Sequence, residues 1–168
     1  MTEPRVMSIT AEPLTAKAWA PFGWLPVDDT DPRDGDHDLE FAWGDPHVNV
    51  IAHTYDEVHH TDGGAICEVL YRHDTHTQTL MVLNAPAIVV VAPAAVDFSE
   101  ATHLDTVRAF RLEPQDALVL ARGTWHWGPF PVDAPVVKLF NVQGRRYAED
   151  NASISLPSSR DAVVAVRS

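Results

Sequence analysis

Two short stretches of the chain carry side chains able to move protons or hold a metal ion. One is Arg72-His73-Asp74-Thr75-His76-Thr77-Gln78; the other is Gly123-Thr124-Trp125-His126-Trp127-Gly128. Imidazole titrates near working pH, so His73 and His126 suit the paired roles of general base and general acid. The same ring nitrogens suit a divalent metal such as Zn, Ni, Mn or Fe. In that reading His73 and His126 are joined by Gln78 and by His76 or Tyr71, and the ion acts as a Lewis acid on a substrate oxygen. No carboxylate accompanies these groups to offset the charge of an ion, so both chemistries stay open. Arg72 and Arg108 offer guanidinium forks that match a carboxylate. Lys138 interrupts the apolar run Val136-Val137-Lys138-Leu139-Phe140 and points either inward as a second cation or outward to solvent. Structural alternatives stand beside each role: Gln78 within strand hydrogen bonding, His76 facing solvent, Arg72 paired with Glu68 or another surface acid. Of the nine histidines, those at 37, 59, 60 and 103 lie in polar, turn-like stretches and read as exposed.

The elements that must position these groups are mostly strands. Alternation begins at His47. Short β-branched or aromatic runs follow at Ala65 to Arg72, Thr77 to Leu83, Ala87 to Ala92, Thr106 to Leu112, Ala117 to Ala121 and Val136 to Val142. With 13 prolines and 8 glycines as punctuation, this pattern predicts an antiparallel sandwich or barrel. Gly123 makes a tight turn ahead of His126, which in a jelly roll aims the histidine into the barrel mouth. One helix is expected near Leu14 to Ala20, where Leu14, Ala18 and Trp19 share a side before Pro21 and Gly23. Residues 28–38 form an acidic loop. The tail 157–168 ends in Ala162-Val163-Val164-Ala165-Val166 and reads as a peripheral strand.

Composition narrows the function classes. The 168 residues are 45% hydrophobic, with 12 basic against 24 acidic side chains and a net charge of −12. Such a surface repels phosphate backbones and anionic lipid, so neither nucleic acid nor membrane is an expected partner. Apolar runs such as Ala85 to Val91 fall far short of the ~20 residues needed to span a bilayer. Met1-Thr-Glu-Pro-Arg has no export pattern, and a cytoplasmic location is expected. Cys67, the one cysteine, sits in an apolar stretch and reads as a buried small hydrophobe.

The two stretches resemble the paired motifs of the cupin superfamily. Tyr71, His73, Gln78 and Ala85 stand at the ligand and glycine positions of the first motif; Gln115, Ala121, Gly123 and His126 stand at the positions of the second. More narrowly, four segments are similar to the ureidoglycolate lyase family. They are Leu14-Thr15 to Phe22-Gly23, Tyr71-Arg72-His73 to Thr77-Gln78, Val107-Arg108-Ala109-Phe110, and Gly123-Thr124-Trp125-His126-Trp127-Gly128-Pro129. The resemblance implies an all-β, cupin-type jelly-roll barrel with a short N-terminal helix, one domain over 1–168 with its core at about 14–155. It also implies a homodimer that takes a small carboxylate substrate. The implied activity is cleavage of ureidoglycolate to glyoxylate and urea within purine-nitrogen breakdown. His73, His126, Arg72 and Gln78 would be catalytic, and Arg108, Lys138, Tyr71 and Trp127 would contact substrate. Three positions depart from the family pattern: Tyr71 replaces a glutamate, Trp127 a histidine, and Asn141 an acid. Another cupin reaction class, isomerase or dioxygenase, and a non-catalytic small-acid-binding barrel are the alternatives.

Overall fold

The computed structural model describes residues 3–168. In chain order it has β1 (Arg5–Thr10), β2 (Glu12–Pro13), α1 (Ala16–Trp19), β3 (Gly23–Trp24), β4 (Pro46–Thr54), β5 (His60–Thr61) and β6 (Gly64–Cys67). There follow β7 (Val69–Arg72), β8 (Gln78–Val82), β9 (Ala87–Ala92), β10 (Arg108–Leu112), β11 (Ala117–Leu120) and β12 (Trp125–Pro131). The chain closes with β13 (Val136–Gly144), β14 (Ala152–Ser155), α2 (Leu156–Arg160) and β15 (Ala162–Arg167). This is an all-β jelly-roll barrel. Among the described residues no helix is long and apolar enough to cross a membrane.

The strands form three sheets, ordered β1-β15-β6-β5, β14-β7-β12-β9-β10-β2, and β3-β11-β8-β13-β4. The six-stranded sheet is the middle layer. Its strand β9 shows why: all six residues are buried, the continuous apolar run expected of a strand covered on both faces. Ala87, Val89 and Val91 join Leu80, Leu118, Leu120 and Leu139 of the five-stranded sheet in the barrel core. Ile88, Val90 and Ala92 face the other way, into a rear core with Cys67, Leu70, Val164 and Val166. Full burial of each such side chain contributes about 1.5–3 kcal/mol, so both layers hold the middle sheet in place.

The helix expected near Leu14 to Ala20 is a single turn. Thr15 caps α1 by accepting from the Ala18 N–H at 3.2 Å, and Pro21, which has no N–H to donate, prevents its extension. Trp19 is fully buried, donates Nε1–H to the Val119 carbonyl at 3.0 Å, and stacks edge-on against Phe110 at 5.2 Å. α1 therefore plugs the barrel core rather than lying on it. The acidic 28–38 stretch is an exposed, turn-rich loop whose His37 stacks on Trp24 at 4.7 Å.

The tail is not peripheral, and the packed structure starts before residue 14. β15 lies inside its sheet, parallel to β1 from Arg5↔Ala162 to Thr10↔Arg167 and antiparallel to β6. Ala162 through Val166 are all buried. Five consecutive apolar residues leave no side for solvent, which is the signature of an inner strand. Gly64 permits the closure: at φ +115°, a Cβ there would stand 2.0 Å from the Val166 carbonyl oxygen.

Candidate functional site

The site forms where the end of β7, the turn leading to β8, and the start of β12 meet. Gly123 adopts φ +76°, a left-handed conformation that glycine takes without strain, and its N–H donates to the His73 carbonyl at 2.8 Å. Arg122 Nε donates to the Asp74 carbonyl at 2.8 Å. Two segments distant in the chain are thereby clipped together. In β12, His126 is in register with Val91 and with Tyr71, so it shares the inner face. Trp125 and Trp127 are in register with Ala92 and Val90 and face the rear core.

Three imidazoles cluster here. The His73 and His76 rings stack at 4.6 Å and 22°, and His73 and His126 lie 5.4 Å apart at 45°. Each ring meets a backbone carbonyl through Nδ1: His73 with Asp150 at 2.8 Å, His76 with Thr77 at 3.0 Å, His126 with Thr124 at 3.1 Å. A carbonyl can only accept, so each neutral ring carries its proton on Nδ1 and keeps a bare Nε2. The His76 Nε2 is buried and has no hydrogen-bond partner. Burial, with His73 adding to it, lowers the His126 pKa to about 4. Burial likewise holds His73 below its ordinary value. These two rings are neutral at physiological pH.

Gln78 completes the cluster. Its Nε2 donates to Asn141 Oδ1 at 2.9 Å and to Gln143 Oε1 at 3.2 Å, while Asn141 Nδ2 donates to Asn49 Oδ1 at 2.7 Å. This row of neutral amides orients Gln78 and leaves its Oε1 buried without a partner. The three histidines and Gln78 pack closely around a narrow cleft together with Leu120, Ala121 and Thr124, with no space the size of a water molecule left between them.

The donor set fits a divalent ion. Three imidazoles and an amide line one cleft, His76 Nε2 and Gln78 Oε1 are buried without a partner, and nitrogen-rich sets suit zinc, nickel or iron. The nearest carboxylate is that of Asp150, which with His73 and His76 places potential ligand atoms within 4.8 Å of one another. Burial would raise the Asp150 carboxyl, but hydrogen bonds from Thr75 and Asp74 outweigh it and hold the group below its usual range.

The expected cations stand elsewhere. Arg72 is on the rear face, its guanidinium over the Trp125 ring and its Nε 3.3 Å from Asp74 Oδ1. Arg108 is paired with Glu12 through both arms of its fork. Lys138 is exposed, on the outer face of β13 where alternate residues Val137 and Leu139 are buried. Trp127 packs on Phe130 at 4.5 Å in the rear layer and cannot line the cleft. Each correction has the same cause: adjacent strand residues face opposite sides, and these four fall on the wrong parity or on a competing acid. Tyr71 lies on the inner side opposite His126, with 39% of its surface exposed. Sequence reasoning gave no role to Asp150 or Gln143: Asp150 lies in no motif, and Gln143 stands in the Asn141-Val142-Gln143-Gly144 stretch only as a variable position.

A family model described as ureidoglycolate lyase matches residues 59–159. No curated protein matches the chain by sequence. Among solved structures, the oxalate decarboxylase–formate complex of Lactobacillus farciminis is 14% identical with a TM-score of 0.43, over 71% of this chain and 30% of that one. The chain thus spans less than a third of that enzyme's length. The L-ribose isomerase of Cellulomonas parahominis is 14% identical with L-ribose bound, at a TM-score of 0.46 over 82% of this chain and 69% of that one. With L-psicose bound it is 16% identical, at a TM-score of 0.47 over 83% and 70%.

Proposed function

The chain belongs to the ureidoglycolate lyase family, and from that premise we propose that it cleaves the C–N bond of ureidoglycolate, or of a related small hydroxy or oxo acid. For ureidoglycolate the products are glyoxylate and urea. The carbinol oxygen loses a proton, the C–N bond opens as the aldehyde forms, and the departing urea nitrogen gains a proton. Atoms and charge balance with no further reactant. This reading carries with it a homodimeric, cytoplasmic enzyme of purine-nitrogen breakdown.

The observation that supports it is the convergence of His73, His76 and His126 on one cleft, each with Nδ1 held by a carbonyl. An acid–base pair of histidines requires one ring to be protonated, and burial opposes that for His73 and His126. Their stronger assignment is as metal holders through Nε2, with His76 beside them and Gln78 contributing Oε1. A divalent ion bound there would supply the positive charge needed by a substrate carboxylate and a developing alkoxide, and neither lysine nor arginine is among the described residues lining the cleft.

The remaining work falls to the chain itself. Leu120 and Ala121 give the cleft an apolar wall that limits water. Tyr71, across from His126 and reachable from solvent, carries a hydroxyl that both accepts and donates. In this reading its hydroxyl relays the proton from the carbinol oxygen to the leaving nitrogen. The test is to load the protein in turn with zinc, nickel, iron and manganese and assay ureidoglycolate. Release of urea and glyoxylate in equal amounts is expected; no release with any of the four would overturn the reading.

A further inference from the structure

Four hydrogen bonds run from three consecutive residues of the histidine-bearing turn to a single residue on the loop between β13 and β14. His73 Nδ1–H donates to the Asp150 carbonyl at 2.8 Å. The Asp74 N–H donates to Asp150 Oδ1 at 3.1 Å, the Thr75 N–H to Oδ2 at 2.7 Å, and the Thr75 hydroxyl to the same Oδ2. The turn is also held by the Gly123 N–H to His73 O and Arg122 Nε to Asp74 O bonds and, toward residues 40–42, by Ala42 N–H to Thr75 O, Thr77 N–H to Glu40 O and Glu40 N–H to Thr77 Oγ1 and the Phe41–His76 bridge. Residues 73–75 have no ladder of their own.

We propose that Asp150 is the positioning residue of the site: it docks the 73–76 turn so that His76 stacks on His73, and it fixes the His73 tautomer. The inference rests on reading the cleft as a metal centre. Asp150 acts through the histidines, because three donors already occupy its carboxylate. It also brings one negative charge close to a donor set that has no carboxylate of its own. A partner of this kind fixes ring orientation, and its loss commonly weakens metal binding 10–100-fold.

The experiment compares wild type, Asp150→Asn, Thr75→Val and Thr75→Ser. Cobalt(II) affinity is read by competition with a chelator, the visible bands of bound cobalt report ligand geometry, and ¹⁵N spectra of the metal-free protein report the ring tautomers. Asparagine keeps the size of Asp150 but loses the charge and one acceptor. Asp150→Asn is expected to bind cobalt roughly 10–100-fold more weakly with shifted bands, and its His73 and His76 signals are expected to average between tautomers. Thr75→Val should weaken binding less, and Thr75→Ser should restore it. Wild-type affinity, bands and ring signals in Asp150→Asn would overturn the proposal. Should wild type bind no cobalt, the metal reading fails, and the ring spectra alone decide the positioning role: averaged tautomers in Asp150→Asn uphold it and unchanged ones end it. Should Asp150→Asn fail to fold, Thr75→Val decides by the same two readouts.

Discussion

The guanidinium carbon of Arg72 lies 4.6 Å from the centroid of the Trp125 ring, on the face of the middle sheet that His126 turns away from. An arginine stacked in this way contributes about 0.5–2 kcal/mol according to its desolvation, and its fork is not free for a substrate. Arg72→Leu should lower the urea midpoint by an amount equivalent to about 1 kcal/mol and leave KM within about twofold. A tenfold rise in KM at constant kcat would return Arg72 to substrate binding.

Tyr71 and His126 form the registered pair on the opposite face. If the Tyr71 hydroxyl relays the proton, Tyr71→Phe should reduce kcat by about 10²–10⁴-fold, the usual contribution of a positioned acid–base group. Cobalt affinity and thermal midpoint should stay at wild-type values. Unaltered kcat in this variant would move the relay elsewhere.

Acid should destabilise the metal-free protein through its buried rings. Burial holds His126 at about 4 and lowers His73, whereas an unfolded histidine titrates near ~6.5. The unfolded chain therefore binds these protons first as pH falls. The stabilisation is complete above ~6.5 and is lost toward pH 4, by about 3 kcal/mol for His126. Urea unfolding in the presence of a chelator should show this slope, and His126→Asn should flatten it. A wild-type profile that is level from pH 7 to 4.5 would contradict the assignment.

Gln78→Glu separates the amide row from the metal site. Asn141 Oδ1 and Gln143 Oε1 both accept from Gln78 Nε2, so a carboxylate there leaves buried acceptors facing an anion. The metal-free variant should lose about 1–3 kcal/mol. Zinc should then raise its melting temperature by more than it raises that of wild type, because the new charge offsets the ion. Equal zinc-induced shifts in the two proteins would argue against Gln78 as a ligand.

Gly144 backs the His76 ring. A Cβ at this position would meet His76 Cδ2 at 2.7 Å, and the ring is held by its bond to the Thr77 carbonyl and its stack on His73. Gly144→Ala should displace His76, cost about 1–3 kcal/mol, and weaken cobalt binding. A crystal structure of the variant with His76 unmoved would refute this.

Much of the barrel was legible because its strands alternate or run fully apolar between turn residues, and because the Gly123 turn sits at a fixed distance from His126. The resemblance to the two cupin motifs paired His73 with His126. Parity was harder. Arg72 neighbours Tyr71, and in a sheet buried on both faces an apolar neighbour does not reveal which side is the lumen. Val69 and Leu70 both look like core residues, yet Leu70 packs in the rear layer. Asp150 was invisible for a different reason: it works from a loop through a ring N–H and two main-chain donors 75 to 77 residues away, and no local pattern marks such a residue.

Because residues 5–10 pair directly with residues 162–167, the back of the wall that bears His126 is sealed by two strands far apart in sequence. Residues 5–10 must therefore wait during synthesis for residues 162–167 to emerge, and any fragment truncated before residue 162 would expose the greasy rear of the wall. Deletion of residues 162–167 should thus be felt as aggregation during synthesis, far from the cleft whose support has been removed.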